Sequence, residues 1–155
     1  MLGVTVDGHV AASTGLIRAE PSGLTNQKVP IPVNCNGNHW CSNMLTLGTC
    51  EAYIYDSSAS SYLLGIRAVA QTLINLLPRE VDEGFRVRNY ESGLGVQTDS
   101  YNCGIYVLLA FEMFCGAEPL DLLDKKTLQC MRYRYLLQRQ KMKGLVIKVA
   151  GCLQI

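Results

Sequence analysis

From residue 28 onward the apolar positions of the chain follow two periods. "KVPIPVN" (Lys28 to Asn34), "HWCSNMLTL" (from His39) and "EAYIYD" (Glu51 to Asp56) are short runs rich in β-branched and aromatic residues, and each reads as a strand. The first carries two prolines, which suit an edge or extended segment running into the polar turn "CNGN". Leu63, Ile66, Ala70, Leu73 and Leu77 then recur at three- and four-residue steps, predicting a helix with one apolar face that Pro78 stops. "FRVRN" alternates like a half-buried strand. After the Gly93 and Gly95 turn, the near-continuous apolar run Gly104 to Phe111 predicts a buried helix beginning at Cys103, with Asn102 as its N-cap, and "KTLQCMRYRYLLQRQ" predicts a last helix. The first 27 residues are rich in Gly, Ser and Thr and weakly patterned, with at most a short strand at Leu2 to Val6. Strands, helix, strand, helices is the order of an α+β domain with a small antiparallel sheet packed on helices.

Composition narrows the class. A chain of 155 residues with 48% hydrophobic content can bury one core and has no room for two full domains. No apolar run approaches the roughly 20 residues of a membrane-spanning helix, and no secretory signal core or Asn-x-Ser/Thr sequon occurs. Seven cysteines at irregular spacing read as reduced thiols, and the expected location is intracellular, nuclear or cytoplasmic. The formal charge of +1 conceals a basic tail: residues 125–155 hold eight Lys/Arg and no acid, against six Lys/Arg and thirteen Asp/Glu before them. A basic helix of this kind is most simply a solvated face; nucleic acid is an unfavoured partner that the tail leaves open, and no membrane partner is expected.

Cys103 is the residue around which chemistry can be assembled. At the start of a buried helix, backbone N–H groups favour thiolate over thiol, and reactive cysteines in such places have pKa values lowered from about 8.5 to roughly 3.5–7.5. A thiolate nucleophile also needs a base, a group that orients the base, and donors for the oxyanion. Of the two histidines, His9 lies in the weakly patterned segment, whereas His39 sits where a turn becomes a strand. Asp56 ends the neighbouring strand, within reach of His39 if the two strands pair, and Gln97 lies six residues before Cys103.

Together "IPVNCNGNHW", "YIYDSS" and "QTDSYNCG", with 17 positions from His39 to Asp56, resemble the ubiquitin-like-protein protease family: the SUMO- or sentrin-specific cysteine proteases and their adenoviral relative. The resemblance implies a papain-like cysteine protease fold with the nucleophile at a helix N-terminus. It also implies His39 as base, Asp56 as orienter, Cys103 as nucleophile, Gln97 as oxyanion donor and Trp40 as a substrate-channel residue. The implied reaction is cleavage after the C-terminal Gly-Gly of a ubiquitin-like modifier, without metal or cofactor. The partners would be such a modifier or its conjugates. The alternative is a catalytically impaired copy that binds a ubiquitin-like protein.

The resemblance covers residues 28–137, leaving 1–27 as a poorly determined N-terminal segment and 138–155 as a basic C-terminal tail. Members of the family carry a longer segment before the histidine, with a tryptophan on the other wall of the channel; here 38 residues precede His39 and Trp40 is the sole tryptophan. The catalytic domain is therefore expected to be incomplete on its N-terminal side. Cys35, His39, Cys41 and Cys50 make an alternative zinc set, but one intervening residue between His39 and Cys41, within a predicted strand, fits zinc-finger spacing poorly.

Overall fold

The computed structural model describes residues 4–5, 27–77, 84–120 and 123–151, with side chains over 27–77, 84–120 and 123–141. Five strands form one sheet in sequence order: β1 (Val4–Thr5), β2 (Lys28–Cys35), β3 (His39–Thr46), β4 (Glu51–Tyr55) and β5 (Arg86–Asn89). Three helices complete the described chain: α1 (Leu63–Asn75), α2 (Cys103–Phe114) and α3 (Lys125–Gly151). The chain divides into two compact units, Met1–Pro119 and Leu120–Ile155, and the sheet, α1 and α2 all belong to the first.

The two central pairings, β2–β3 and β3–β4, are antiparallel, as the sequence predicts; the outer ones, β1–β2 and β4–β5, are parallel. The sheet is thus mixed rather than antiparallel throughout. Physically, α1 lies between β4 and β5 in the chain, and a helical crossover returns the next strand in the same direction, which no short hairpin can do. Strand β2 is flanked on both sides, yet β1 covers it only at Val33 and Asn34. Pro30 and Pro32, at like positions of the pleat, lack the N–H that a longer outer neighbour would need.

The hairpin joining β2 to β3 turns on Asn36 and Gly37, both at positive φ (52° and 75°), with Asn38 N–H donating to Cys35 O at 3.3 Å. Asn-Gly is the pair that accepts left-handed backbone at both central positions of a tight turn. It sets Cys35 opposite His39 and Val33 opposite Cys41. With this register, Val33, Cys35, Cys41 and Ile54 share one face of the sheet and pack on Ile66 and Ala70 of α1. Ile31, Leu45, Leu47 and Ala52 continue the same face against Ile74. The predicted stripe of α1 is the packed one, with Leu63, Leu73 and Leu77 half-buried at its edges.

The opposite face carries Trp40, Met44 and Tyr53 and is covered by α2. Phe114 there meets Tyr53 and Tyr90 edge-on at 6.0 Å each, and Lys28 Nζ donates to its carbonyl at 2.6 Å. Helix α2 is apolar nearly all round, with Ile105, Val107, Leu109 and Ala110 buried, as a helix enclosed by its own domain must be. In the second unit, α3 begins where Asp124 Oδ1 accepts the Thr127 N–H at 2.7 Å, an N-cap bond, and its helical backbone runs on past residue 138.

Asn43 is out of place on the α1 face. Flanked in register by Ile31 and Ile54, it is fully buried, and neither its Oδ1 nor its Nδ2 finds a partner among the described residues. An unsatisfied buried amide costs on the order of 1–3 kcal/mol. Asn43→Val, which removes both orphan groups and suits a strand, is expected to raise stability by that order, read as a higher urea midpoint at unchanged m-value; a lower midpoint would mean that the amide has a partner.

Candidate active site

The site lies at the end of the sheet where β3 begins and β4 ends, and its centre is the Asp56 carboxylate. Asp56 has no side-chain solvent exposure, and His39 has 14%. His39 Nε2 lies 2.8 Å from Asp56 Oδ1, the bond expected if β3 and β4 pair. The same oxygen accepts the Ser58 N–H and hydroxyl at 3.0 Å each, while Oδ2 accepts the Ser60 N–H at 2.7 Å and its hydroxyl at 2.5 Å. Ala59, between the two serines, takes a positive φ of 48°, bending the chain so that both neighbouring N–H groups face the carboxylate. Burial opposes ionisation of Asp56, but the Ser60 hydroxyl, the His39 ring and the Ser58 and Ser60 N–H groups outweigh it and bring the pKa down to about 2.

Ser58 Oγ also lies 3.1 Å from His39 Nε2, and the Tyr62 ring stacks on the imidazole with centroids 5.8 Å apart. Nε2 therefore faces the carboxylate and Nδ1 is the remaining ring nitrogen. This is the reverse of the serine-protease triad, in which the carboxylate holds Nδ1 and Nε2 serves the nucleophile.

Cys103 is the first residue of α2 and is 5% exposed. It stands at the same end of the sheet: a Cβ added to Gly104 would lie 3.7 Å from Trp40 Cδ1, and a Cys103 thiolate is close enough to help raise the pKa of both Cys35 and Cys41. Among the described residues no hydrogen bond joins Cys103 to His39. The ring is held instead by Asp56, Ser58 and the stacked Tyr62. Trp40, beside Gly104, is 38% exposed.

Gln97 is buried nearby and its amide is held at both ends. Ser57 Oγ donates to Oε1 at 2.7 Å, and Nε2 donates to Asp99 O at 2.5 Å and, at a long 3.3 Å, to Asp99 Oδ1. Asn102 occupies the N-cap position but makes no capping bond; its side chain donates to Asp99 Oδ2, and Asp99 Oδ1 accepts the Tyr101 and Asn102 N–H groups. Asp99 thus organises the loop that Asn102 was expected to close. Among the described residues no acceptor stands against the Cys103 N–H, a helix-terminal donor left open.

Sequence reasoning missed Ser58, Ser60, Tyr62 and Asp99. The run "DSSAS" carries a signal for the serines, since hydroxyls just after an aspartate favour turns that close on its carboxylate. A cavity of about 260 Å³ opens beside Asp56, lined by Tyr55, Ser57, Tyr90, Gly93 and Val96; neither Cys103 nor Trp40 borders it.

The Ulp1 protease family, C-terminal catalytic domain, matches residues 22–145. The chain belongs to the Ulp1 protease family. Two solved structures place its fold among the Ulp1 catalytic domains. SUMO protease Ulp1 with its catalytic cysteine oxidised to a sulfenic acid is similar at 26% identity and TM-score 0.55, over 68% of this chain and 48% of that one. The C-terminal Ulp1 protease domain in complex with Smt3, the yeast ortholog of SUMO, is similar in fold at 24% identity and TM-score 0.54, over the same shares. This Ulp1-family chain thus spans about half the length of those structures. No curated protein matches it. Its α+β class and papain-like core agree with the sequence reading, and no described helix is long and apolar enough to cross a membrane.

The Asp56 network sets a pH dependence. Because the folded pKa is depressed from 3.8 to about 2, its contribution, roughly 2 kcal/mol, is present above pH 4 and is lost as pH falls through 2. Ser60→Ala should raise the Asp56 pKa and cost about 1–2 kcal/mol near neutrality. Urea unfolding of both proteins should show that difference at pH 6 and little of it at pH 2; an equal difference at both would remove the carboxylate from the account.

Proposed function

We propose that the chain is a cysteine protease that cleaves after the C-terminal Gly-Gly of a SUMO-type modifier. The observation that carries the reading is the 2.8 Å His39–Asp56 pair at the strand end where Trp40 meets Gly104 beside Cys103. Family membership supports it, as does the Smt3 complex of the related Ulp1 domain.

The steps follow from the groups present. His39 takes the Cys103 proton, and Asp56, 2.8 Å from the ring, stabilises the imidazolium. The sulfur attacks the scissile carbonyl carbon, forming the C–S bond and moving the carbonyl π electrons onto oxygen. The open Cys103 N–H receives the oxyanion, joined by the Gln97 amide once it gives up its 3.3 Å contact to Asp99 Oδ1. Collapse breaks the C–N bond, with the proton on His39 passing to the amine. A water that loses its proton to His39 then hydrolyses the thioester and restores the thiol. Trp40 confines the Gly-Gly segment, whose small residues leave room for a narrow channel.

A second reading, a ubiquitin-like-protein binding module without turnover, draws on one observation: His39 is bonded to Asp56 and Ser58 rather than to Cys103. One experiment separates the two. The chain, its Cys103→Ser variant and its Gln97→Ala variant are incubated with ubiquitin-like proteins bearing a C-terminal electrophile. The protease reading predicts a 1:1 adduct with a SUMO-type probe, abolished by Cys103→Ser and slowed about 100–1,000-fold by Gln97→Ala. Tight binding without any adduct selects the module.

A further inference from the structure

We propose that the chain binds one zinc-class divalent cation through His39, Cys41 and Asp56, with Cys35 as fourth ligand. One ligand atom from each of His39, Cys41 and Asp56 lies within 4.8 Å of the others; Cys35 Sγ, 3.7 Å from Cys41 Sγ, stands outside that set and would have to turn toward the ion to complete it. A tetrahedral site with Zn–S bonds of about 2.3 Å has an S···S edge of about 3.8 Å, so the two sulfurs already stand at the spacing the ion requires. Two thiolates, an imidazole and a carboxylate form a donor set that favours zinc over magnesium or calcium. The His39–Asp56 contact of 2.8 Å must open to an N···O edge of about 3.4 Å, a small retreat of a ring that is 14% exposed.

Zinc-finger spacing argued against a metal at these cysteines because such rules describe loops that wrap an ion. Here a hairpin does the gathering. Cys35 faces His39 and Val33 faces Cys41 across β2 and β3, which makes Cys35 and Cys41 diagonal neighbours on one face, with His39 two residues before Cys41 on the same side. Asp56, one residue beyond β4, takes the place that sequence gave to Cys50, whose thiol instead donates to the Leu47 carbonyl at 3.7 Å. The outer shell is also built: Ser58 and Ser60 hold both carboxylate oxygens, as ligating carboxylates are usually held. Both sulfurs are fully buried against α1, so the ion would enter past His39, and binding would release the two thiol protons to solvent.

Occupancy carries a consequence that rests on the protease reading. A metal on His39 and Asp56 removes the base and its orienter from Cys103, so zinc would act as a reversible inhibitor without touching the nucleophile.

The test titrates the reduced 155-residue chain with Co²⁺, following sulfur-to-cobalt charge-transfer absorbance, and then displaces it with Zn²⁺. One equivalent with tetrahedral absorbance is expected, unchanged in Cys103→Ser and in a Cys115→Ser, Cys130→Ser double variant. Cys41→Ala should lose the signal, and Cys35→Ala should halve the charge-transfer intensity per cobalt. If circular dichroism shows Cys41→Ala unfolded, the Cys35→Ala intensity decides alone. No binding, full intensity in Cys35→Ala, or loss of the signal in Cys103→Ser would overturn the site. Activity is not the readout, so a chain that binds cobalt but forms no SUMO-type adduct keeps this site and loses the protease reading, and the reverse outcome does the opposite.

Discussion

A carboxylate with no solvent exposure stays ionised only if its oxygens are fully hydrogen-bonded, and Asp56 meets that condition with five donor contacts. Much of the site's local geometry follows. The turn after β4 must place two serines around one side chain, which is why Ala59 adopts a left-handed backbone and why Ser60 reaches the carboxylate just before α1. The ring of His39 joins the two Ser58 donors on Oδ1, and Tyr62 closes over its face. Strand pairing lets His39 meet Asp56, and the serine turn adds Ser58 Oγ beside the same ring nitrogen.

The consequence for chemistry is a division of labour across the sheet. One face holds the charged, hydrogen-bonded half of the site with Cys35 and Cys41; the other carries Trp40 and is covered by the helix that Cys103 begins. They meet at the strand end, where Trp40 and Gly104 are neighbours. A histidine bonded to that carboxylate and beside the buried sulfurs can ligate a metal or serve a thiol as base, and not both at once. That is a physical basis for coupling metal binding to loss of a base.

Much of this was legible in the sequence. Period-two runs located β2 to β5, the three- and four-residue steps located α1, and the apolar run placed Cys103 at the start of α2. The spacing of His39 and Asp56 anticipated their hydrogen bond. What remained hidden depends on side-chain direction and on partners distant in sequence. Nothing local distinguishes Asn102 as a cap from Asn102 as a donor to Asp99, because both use the same loop residues and only tertiary placement selects between them. The parallel outer pairs could not be read because a strand's period does not encode its partner's direction. The Cys35–Cys41 proximity required the hairpin register, which the Asn-Gly turn sets but linear spacing does not display. His9 lies outside the described residues.

Asp56 holds His39 through Nε2. Long-range proton–nitrogen NMR of the imidazoles at alkaline pH tests it most directly, since it reports which nitrogen of each neutral ring carries the proton. The expected result for His39 is an N–H on Nε2 that exchanges slowly with solvent and loses that protection in Asp56→Asn. A proton on Nδ1 with Nε2 bare, or an Nε2 proton indifferent to Asp56→Asn, would contradict it.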